Sequence, residues 1–313
     1  MAADARPPAL PPVVRALLDA AVALVRRSSS GSVALASLAG VVDLDAIPRA
    51  YRARVQRELE AAVAATSEPL PLHRVERELR AAWGSPPDAV LDGLEAEPLT
   101  VTPSAQVHRG ELDGAAVAIT VRRPGLAASV RSDLGLLDAL GPPLGRVFAA
   151  LDAGALLREA RERALDDLDL EHAAATQRRL GRAARRLEGV RVPAVRTELA
   201  APGVLVADLL EGPTLAAAQP PSAGAAARAL VAFHLGAPRA VGLAPADPRP
   251  DHVVLLGDGG IGLLGTGAAS PVDRDRFGAF LDALEALREE DRAAFVAAVQ
   301  RMGLLPADAA AAA

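Results

Sequence analysis

VGLAPADPRPDHVVLLGDGGIGLLGTG, running from Val241 to Gly267, carries punctuation that decides the fold. Two Pro-punctuated turns between Pro245 and Pro250 lead into an apolar run, Val253–Leu256. A Gly-Asp-Gly-Gly turn at Gly257–Gly260 follows, then a second apolar run, Ile261–Leu264, and a Gly-Thr-Gly break at Gly265–Gly267. The order predicts loop, strand, tight turn, strand and loop, because Gly and Asp supply the backbone conformations a hairpin turn needs.

Working outward, 313 residues are enough for one large two-lobed domain or two ordinary ones, with ample length for a core. Only 2% of residues are aromatic, so Leu, Val and Ala must pack that core. A net charge of −5 argues against generic nucleic-acid binding, which wants a basic surface. The absence of cysteine excludes a disulfide framework and thiolate metal sites, and five scattered histidines offer no His-rich metal centre. All 34 basic residues are arginine, with no lysine or asparagine anywhere. Codon bias accounts for that depletion, yet bias alone would be expected to spare a residue whose loss stops catalysis. No stretch reads as a targeting or membrane-spanning segment, since Arg15 and Asp19 interrupt the apolar run Val13–Val25. The default is a soluble cytoplasmic protein.

Residues 1–12 are Pro/Ala-rich and expected to be disordered, and Pro11–Arg27 is expected to be an amphipathic helix. Helical periodicity follows over Asp45–Ala65 and Leu72–Trp83, and a short helix is expected at Pro86–Leu94. Trp83 reads as a core anchor. At Pro98 the period becomes two-fold: Leu99–Leu112 and Ala115–Arg123 flank Asp113-Gly114, a strong hairpin signal. Helices are expected at 126–140, 146–166 and 168–187, and strands at 190–199 and 204–210. Helices again fit 223–235, 275–287 and 292–302, the last with Phe295, Val299 and Met302 on one apolar face. The Arg-rich run from Arg178 to Arg191 reads as a solvated helix face, or else as a patch for anionic lipid or an acidic partner.

Residues 98–125, PLTVTPSAQVHRGELDGAAVAITVRRPG, resemble the UbiB/AarF atypical kinase-like pattern PLAAASIAQVHRARLxDGxxVAVKVQRPG. PADPRPDH at 245–252 stands where that family has HADPHPGN, ahead of a strand pair and LLDFG. DLDLEHAAATQRR at 167–179 resembles ELDYxxEAxNxxR, and Glu211-Gly212 matches the family's hinge. The resemblance runs from Pro98 to Pro306, and the family continues further, so a truncated member is expected. It implies an α+β, protein-kinase-like, two-lobed fold. The expected parts are an N-terminal helical extension over 1–95, an N-lobe with a small antiparallel sheet and inserted helices over 96–212, and a mostly helical C-lobe over 213–313.

The resemblance also implies which residues face a nucleotide. These are Ser104, Gln106, Thr120, Arg122, Asp167, Asp169, Glu211, Asp251, His252 and Gly265, with Asp247 at the catalytic-loop position. Against that frame, Thr120 stands at the phosphate-holding lysine and Ala173 at its glutamate partner. Thr176 stands at the family's helix asparagine, His252 at the metal-holding asparagine, and Gly265 at the metal-holding aspartate. A hydroxyl lacks the charge that holds phosphate, and glycine lacks the carboxylate Mg²⁺ wants. Pro103 stiffens the loop that would approach the phosphates. Arg122 shares a strand face with Thr120 and reads either as a partial substitute for the lysine or as a solvent-facing residue.

Three readings stay open. The first is a pseudokinase scaffold needing no cofactor, with weak ATP or ADP affinity at most and no secure Mg²⁺ site, serving isoprenoid-quinone or lipid metabolism through a lipid or protein partner. Its expected place is the cytoplasm or a membrane surface. The second is a divergent ATPase or small-molecule kinase using Arg122, Asp247 and Asp251 in altered roles. The third is a decayed product that only folds. Oligomeric state is not legible in the sequence.

Overall fold

Val117, Ile119 and Val121 alternate along Ala115–Arg122, and this two-residue period makes the strand and selects its inner face. In the computed structural model, which describes residues 49–137, 168–218 and 223–306 together with Val33 and Ala36, all three are fully buried. Each such side chain contributes about 1.5–3 kcal/mol of burial. Asp167, the expected helices at 11–27 and 146–166, and the expected disorder of residues 1–12 lie outside the described residues. The chain divides into two compact units, Met1–Glu171 with Leu199–Val206 and His172–Glu198 with Ala207–Ala313.

The first unit opens with α1 (Arg49–Thr66) and α2 (Leu72–Trp83). Gly84, at φ +71°, ends α2 in the left-handed conformation that glycine adopts freely. A sheet follows in the order β1 (Gly93–Val101), β2 (Ala105–Leu112), β3 (Ala115–Arg122) and β5 (Val204–Asp208). Helix α3 is described over Leu126–Leu137. Val75 and Leu79, one turn apart on α2, pack with the inward residues of β3 and with Val204 and Val206. Trp83 joins the edge of this core and donates its indole N–H to the Leu199 carbonyl at 3.0 Å. Asp113 and Gly114 both have positive φ, as a two-residue hairpin turn demands.

Two expectations need correcting. The helix expected at Pro86–Leu94 is a 3₁₀ turn at Pro87–Ala89, and the strand begins at Gly93. The single strand expected over Leu99–Leu112 is two, separated by a turn at Thr102–Ser104. Thr102 closes that turn: its hydroxyl accepts from the Ala105 N–H at 3.0 Å and donates to the Ala105 carbonyl at 2.9 Å. This local bonding competes with extended pairing.

The second unit contains α4 (Leu170–Ala184, all but its first two residues), β4 (Val190–Arg191), α5 (Ala223–Val241) and β6 (Leu243–Pro245). The Val253–Leu255 and Ile261–Leu263 strands, β7 and β8, form the antiparallel pair read from the Gly257–Gly260 turn, and β4 pairs in parallel with β8. β9 (Ala269–Pro271) pairs with β6. Helices α6 (Arg274–Arg288) and α7 (Arg292–Arg301) close the unit, capped by the carboxylates of Asp273 and Asp291. The core gathers Leu180, Phe233, Ala237, Val253, Ile261 and Leu263.

Here too the sequence expectations shift. The strand expected over 190–199 shrinks to two residues before a 3₁₀ turn at Thr197–Leu199. On α7, Ala298 is the buried residue, while Phe295, Val299 and Met302 are only half-buried. The Arg-rich run is partly tied down, with Arg178 donating to the Thr197 hydroxyl and Arg179 to the Val241 carbonyl. Among the described residues no helix is long and apolar enough to cross a membrane.

Gln106 is the polar pin of the first unit. Fully buried, it accepts from the Leu70 N–H at 2.8 Å, donates to the Leu70 carbonyl, and donates to His108 Nε2 at 2.6 Å. His108 Nδ1–H in turn donates to the Glu95 carbonyl at 2.9 Å. Gln106→Leu strands several of these groups, so we expect a loss of about 3 kcal/mol in urea denaturation. A loss under about 1 kcal/mol, as for a solvent-facing residue, would contradict the assignment.

Candidate functional site

The prolines at 245, 248 and 250 restrict the chain between β6 and β7, and a 3₁₀ turn at Pro250–His252 brings the loop back toward its own start. Four polar side chains close into a network there. The Arg249 guanidinium donates to His252 Nε2 at 2.6 Å, so the ring proton sits on Nδ1. That Nδ1–H faces Asp247 Oδ2 at 3.2 Å, and the other Asp247 oxygen lies 3.3 Å from Arg249 Nε. Asp251 completes the set, 3.6 Å from Arg249 Nε. Both oxygens of Asp247 therefore face donors within its own loop.

Gly265 lies against this network, at φ +65°. A Cβ built on it would sit 2.4 Å from His252 Nδ1 and 2.8 Å from the adjoining ring carbon. The imidazole occupies the volume that any side chain at position 265 needs. Two residues on, a Cβ at Gly267 would lie 2.7 Å from the Cβ of Ala173 on α4. Between them, Thr266 is buried with its hydroxyl unpartnered. Asp247, Asp251, His252 and Gly265 are thus brought together, and Ala173 meets the same segment from α4. Among the described residues no group of three or more His, Asp or Glu side chains converges as a metal-ligating set.

Several of the other predicted site residues that the structure describes are engaged with backbone or core groups. Arg122 is half-buried and donates to the carbonyls of Leu168 and Pro202, the latter at 2.7 Å. Burial lowers its pKa, and the nearby Asp169 carboxylate opposes that shift. The reading of Arg122 as a solvent-facing residue is corrected: its charge is spent on backbone. Asp169 accepts from the Glu171 N–H at 3.0 Å at the start of α4. Thr120 is half-buried on the same face of β3 as Arg122. The Ser104 carbonyl accepts from the Arg123 N–H at 2.9 Å, and Gln106 is the core pin already described. Glu211 is exposed, and a Cβ at the following Gly212 would sit 2.2 Å from the Leu255 carbonyl, so no side chain fits there.

Residues 62–299 match the ABC1 atypical kinase-like domain, about three-quarters of the chain. The chain belongs to that family. Within this UbiB/AarF group, it is 28% identical over 143 residues to AarF domain-containing protein kinase 1 of Xenopus tropicalis, covering 45% of this chain and 27% of that protein. It is 31% identical over 134 residues to the probable protein kinase UbiB of Aeromonas salmonicida, covering 41% of this chain and 24% of that one. The match spans about a quarter of these curated relatives. A solved structure, Rv3197 of Mycobacterium tuberculosis in complex with erythromycin, aligns with a TM-score of 0.64 at 22% identity, covering 95% of this chain and 77% of that one. That likeness is one of fold, and the α+β fold of this ABC1-family chain is protein-kinase-like.

Sequence reasoning missed Arg249 as the centre of the network and missed the dependence of His252 on Gly265. The signal for the first is the alternation Asp247, Arg249, Asp251, with its opposite charges two residues apart. For the second there is none, because residues 252 and 265 meet only after β7 and β8 have paired. Gly265→Asp is expected to destabilise the chain by about 2–4 kcal/mol in denaturant titration, from steric overlap and left-handed backbone. Adding His252→Asn should recover more than half of that loss, a coupling of about 1 kcal/mol or more. Simple additivity of the two changes would show that the ring and position 265 do not compete.

Proposed function

We propose that this ABC1-family chain is a pseudokinase, a kinase-like scaffold or regulator that does not transfer phosphate. The observation that carries this reading is the His252 ring standing in the volume of a side chain at Gly265. Phosphoryl transfer rests on positioning and on neutralising phosphate charge, chiefly through Mg²⁺ and cationic side chains. The residues here do not fit Mg²⁺, which wants several oxygens in octahedral array. Gly265 brings no ligand, Asp247 is turned to Arg249 and His252, and Arg249 adds a positive charge to the loop. No cofactor is required in this reading, and affinity for ATP or ADP is weak.

By family likeness the setting is isoprenoid-quinone or other lipid metabolism, with a lipid or protein partner. The place of action we propose is the cytoplasm or the adjoining membrane surface. The alternative, a divergent ATPase or small-molecule kinase, needs Arg122 to hold phosphate. The bonds of Arg122 to the Leu168 and Pro202 carbonyls weigh against it.

A thermal-shift titration with ATP and ADP, each with and without Mg²⁺, tests the proposal. Ligand at about 1,000 times its Kd adds about 4 kcal/mol to native stability, an unmistakable rise in melting temperature. We expect no Mg²⁺-dependent rise at millimolar nucleotide and no ATP turnover. A rise that requires Mg²⁺, accompanied by turnover lost in Asp247→Ala, would overturn the pseudokinase reading.

A further inference from the structure

A cavity of about 310 Å³ lies within the second unit, beneath the loop that carries the Asp247–His252 network. Its walls are mainly apolar, with Leu215, Leu230 and Phe233 among them, and helix α5 forms one side. Cavities of roughly half this size admit benzene, and ligand pockets begin at about 300 Å³. A compact apolar molecule therefore fits.

Three buried polar atoms of the residues lining this cavity make no hydrogen bond. Arg249 Nε lies 3.3 Å from an Asp247 oxygen in an ion pair, and the other two have no partner of either kind. Thr266 is 4% exposed and its hydroxyl makes no hydrogen bond. His234 donates its Nδ1–H to the Leu230 carbonyl at 2.9 Å, which leaves Nε2 a bare acceptor, also buried and unpaired. An unpaired buried polar group costs stability. One such atom in a core is a local defect; two on the wall of one cavity are a recognition pattern. What they require is a group that donates to His234 and exchanges a hydrogen bond with the Thr266 hydroxyl. A hydroxyl does both. A neutral amine does so too, but near neutral pH it gains a proton, loses its acceptor and sets a second positive charge beside Arg249, which lines the same cavity and already faces Asp247. Ethers and ketones can serve Thr266 only.

We propose that this cavity binds a compact, mainly apolar alcohol, with its hydroxyl held by His234 Nε2 and Thr266 Oγ1. Asp247, Arg249, His252 and Gly265 of the candidate site share its wall, but binding of the alcohol needs neither nucleotide nor metal. Thr266 stands where the resembled family motif has the phenylalanine of LLDFG, so the smaller side chain both opens space and supplies a polar contact.

The test compares 1-adamantanol with 1-fluoroadamantane, a near-isostere without the donor, by calorimetry or ligand-observed NMR on the full chain with no nucleotide or metal. The alcohol should bind about tenfold more tightly, the worth of about one good hydrogen bond to an otherwise unpaired buried group. His234→Phe should erase that preference, and Thr266→Phe should abolish binding of both probes. Melting curves establish that each variant is folded, and Thr266→Val, which should cut the preference, serves if His234→Phe is not. Equal affinity for the two probes, a preference that survives in His234→Phe, or no binding of the alcohol would each overturn the proposal. None of these outcomes bears on the nucleotide titration, so the two readings fail separately.

Discussion

No room is left for a side chain at 265 with the His252 imidazole where it stands, and one of the two must give way. With a Cβ at Gly265 only 2.4 Å from His252 Nδ1, the two positions form a single unit of substitution. The ring is fixed from its other side by Arg249, whose donation to Nε2 aims the Nδ1–H at Asp247. Loop shape, ring tautomer and the glycine thus follow from one another. The positive φ at Gly265 adds a backbone reason for glycine to the steric one. With the ring in place, Asp247, Arg249, Asp251 and His252 face one another in a charge network.

The same logic extends along the Gly265–Gly267 segment. Ala173 on α4 fills the space a side chain at Gly267 would need, and Gly212 leaves room for the Leu255 carbonyl. Small residues at contact points let strands and helix approach closely. Elsewhere the chain replaces ionic chemistry with carbonyl chemistry. Arg122 and Arg123 hold backbone oxygens, and burial lowers the pKa of each. An arginine with several N–H donors suits that task, since its planar head satisfies more than one carbonyl at a time.

Much of the fold was legible because its signals are local. The Asp113-Gly114 turn, the Gly257–Gly260 turn and the two-residue period of Val117, Ile119 and Val121 each act within a few residues. α2 is legible to both ends because the helical period holds over Leu72–Trp83 and Gly84 stops it. The misreadings share a cause. Thr102 broke a strand through hydroxyl bonding that the apolar pattern does not encode, and Arg122 found carbonyls 46 and 80 residues away. At the site, the residue types at 247, 251, 252 and 265 were readable. Their mutual exclusion was not, since strand pairing creates it.

Site-selective broadening of amide NMR signals by Mn²⁺, with ADP present, asks most directly whether the loop still holds a metal. If the His252 ring and Arg249 have taken the metal's place, the amides of Gly265, Gly267 and Asp247 broaden no more than those of exposed acidic surface residues. Preferential broadening around Asp247 and Asp251 at low Mn²⁺ would mean that the ring yields to the metal, and the pseudokinase reading would not stand.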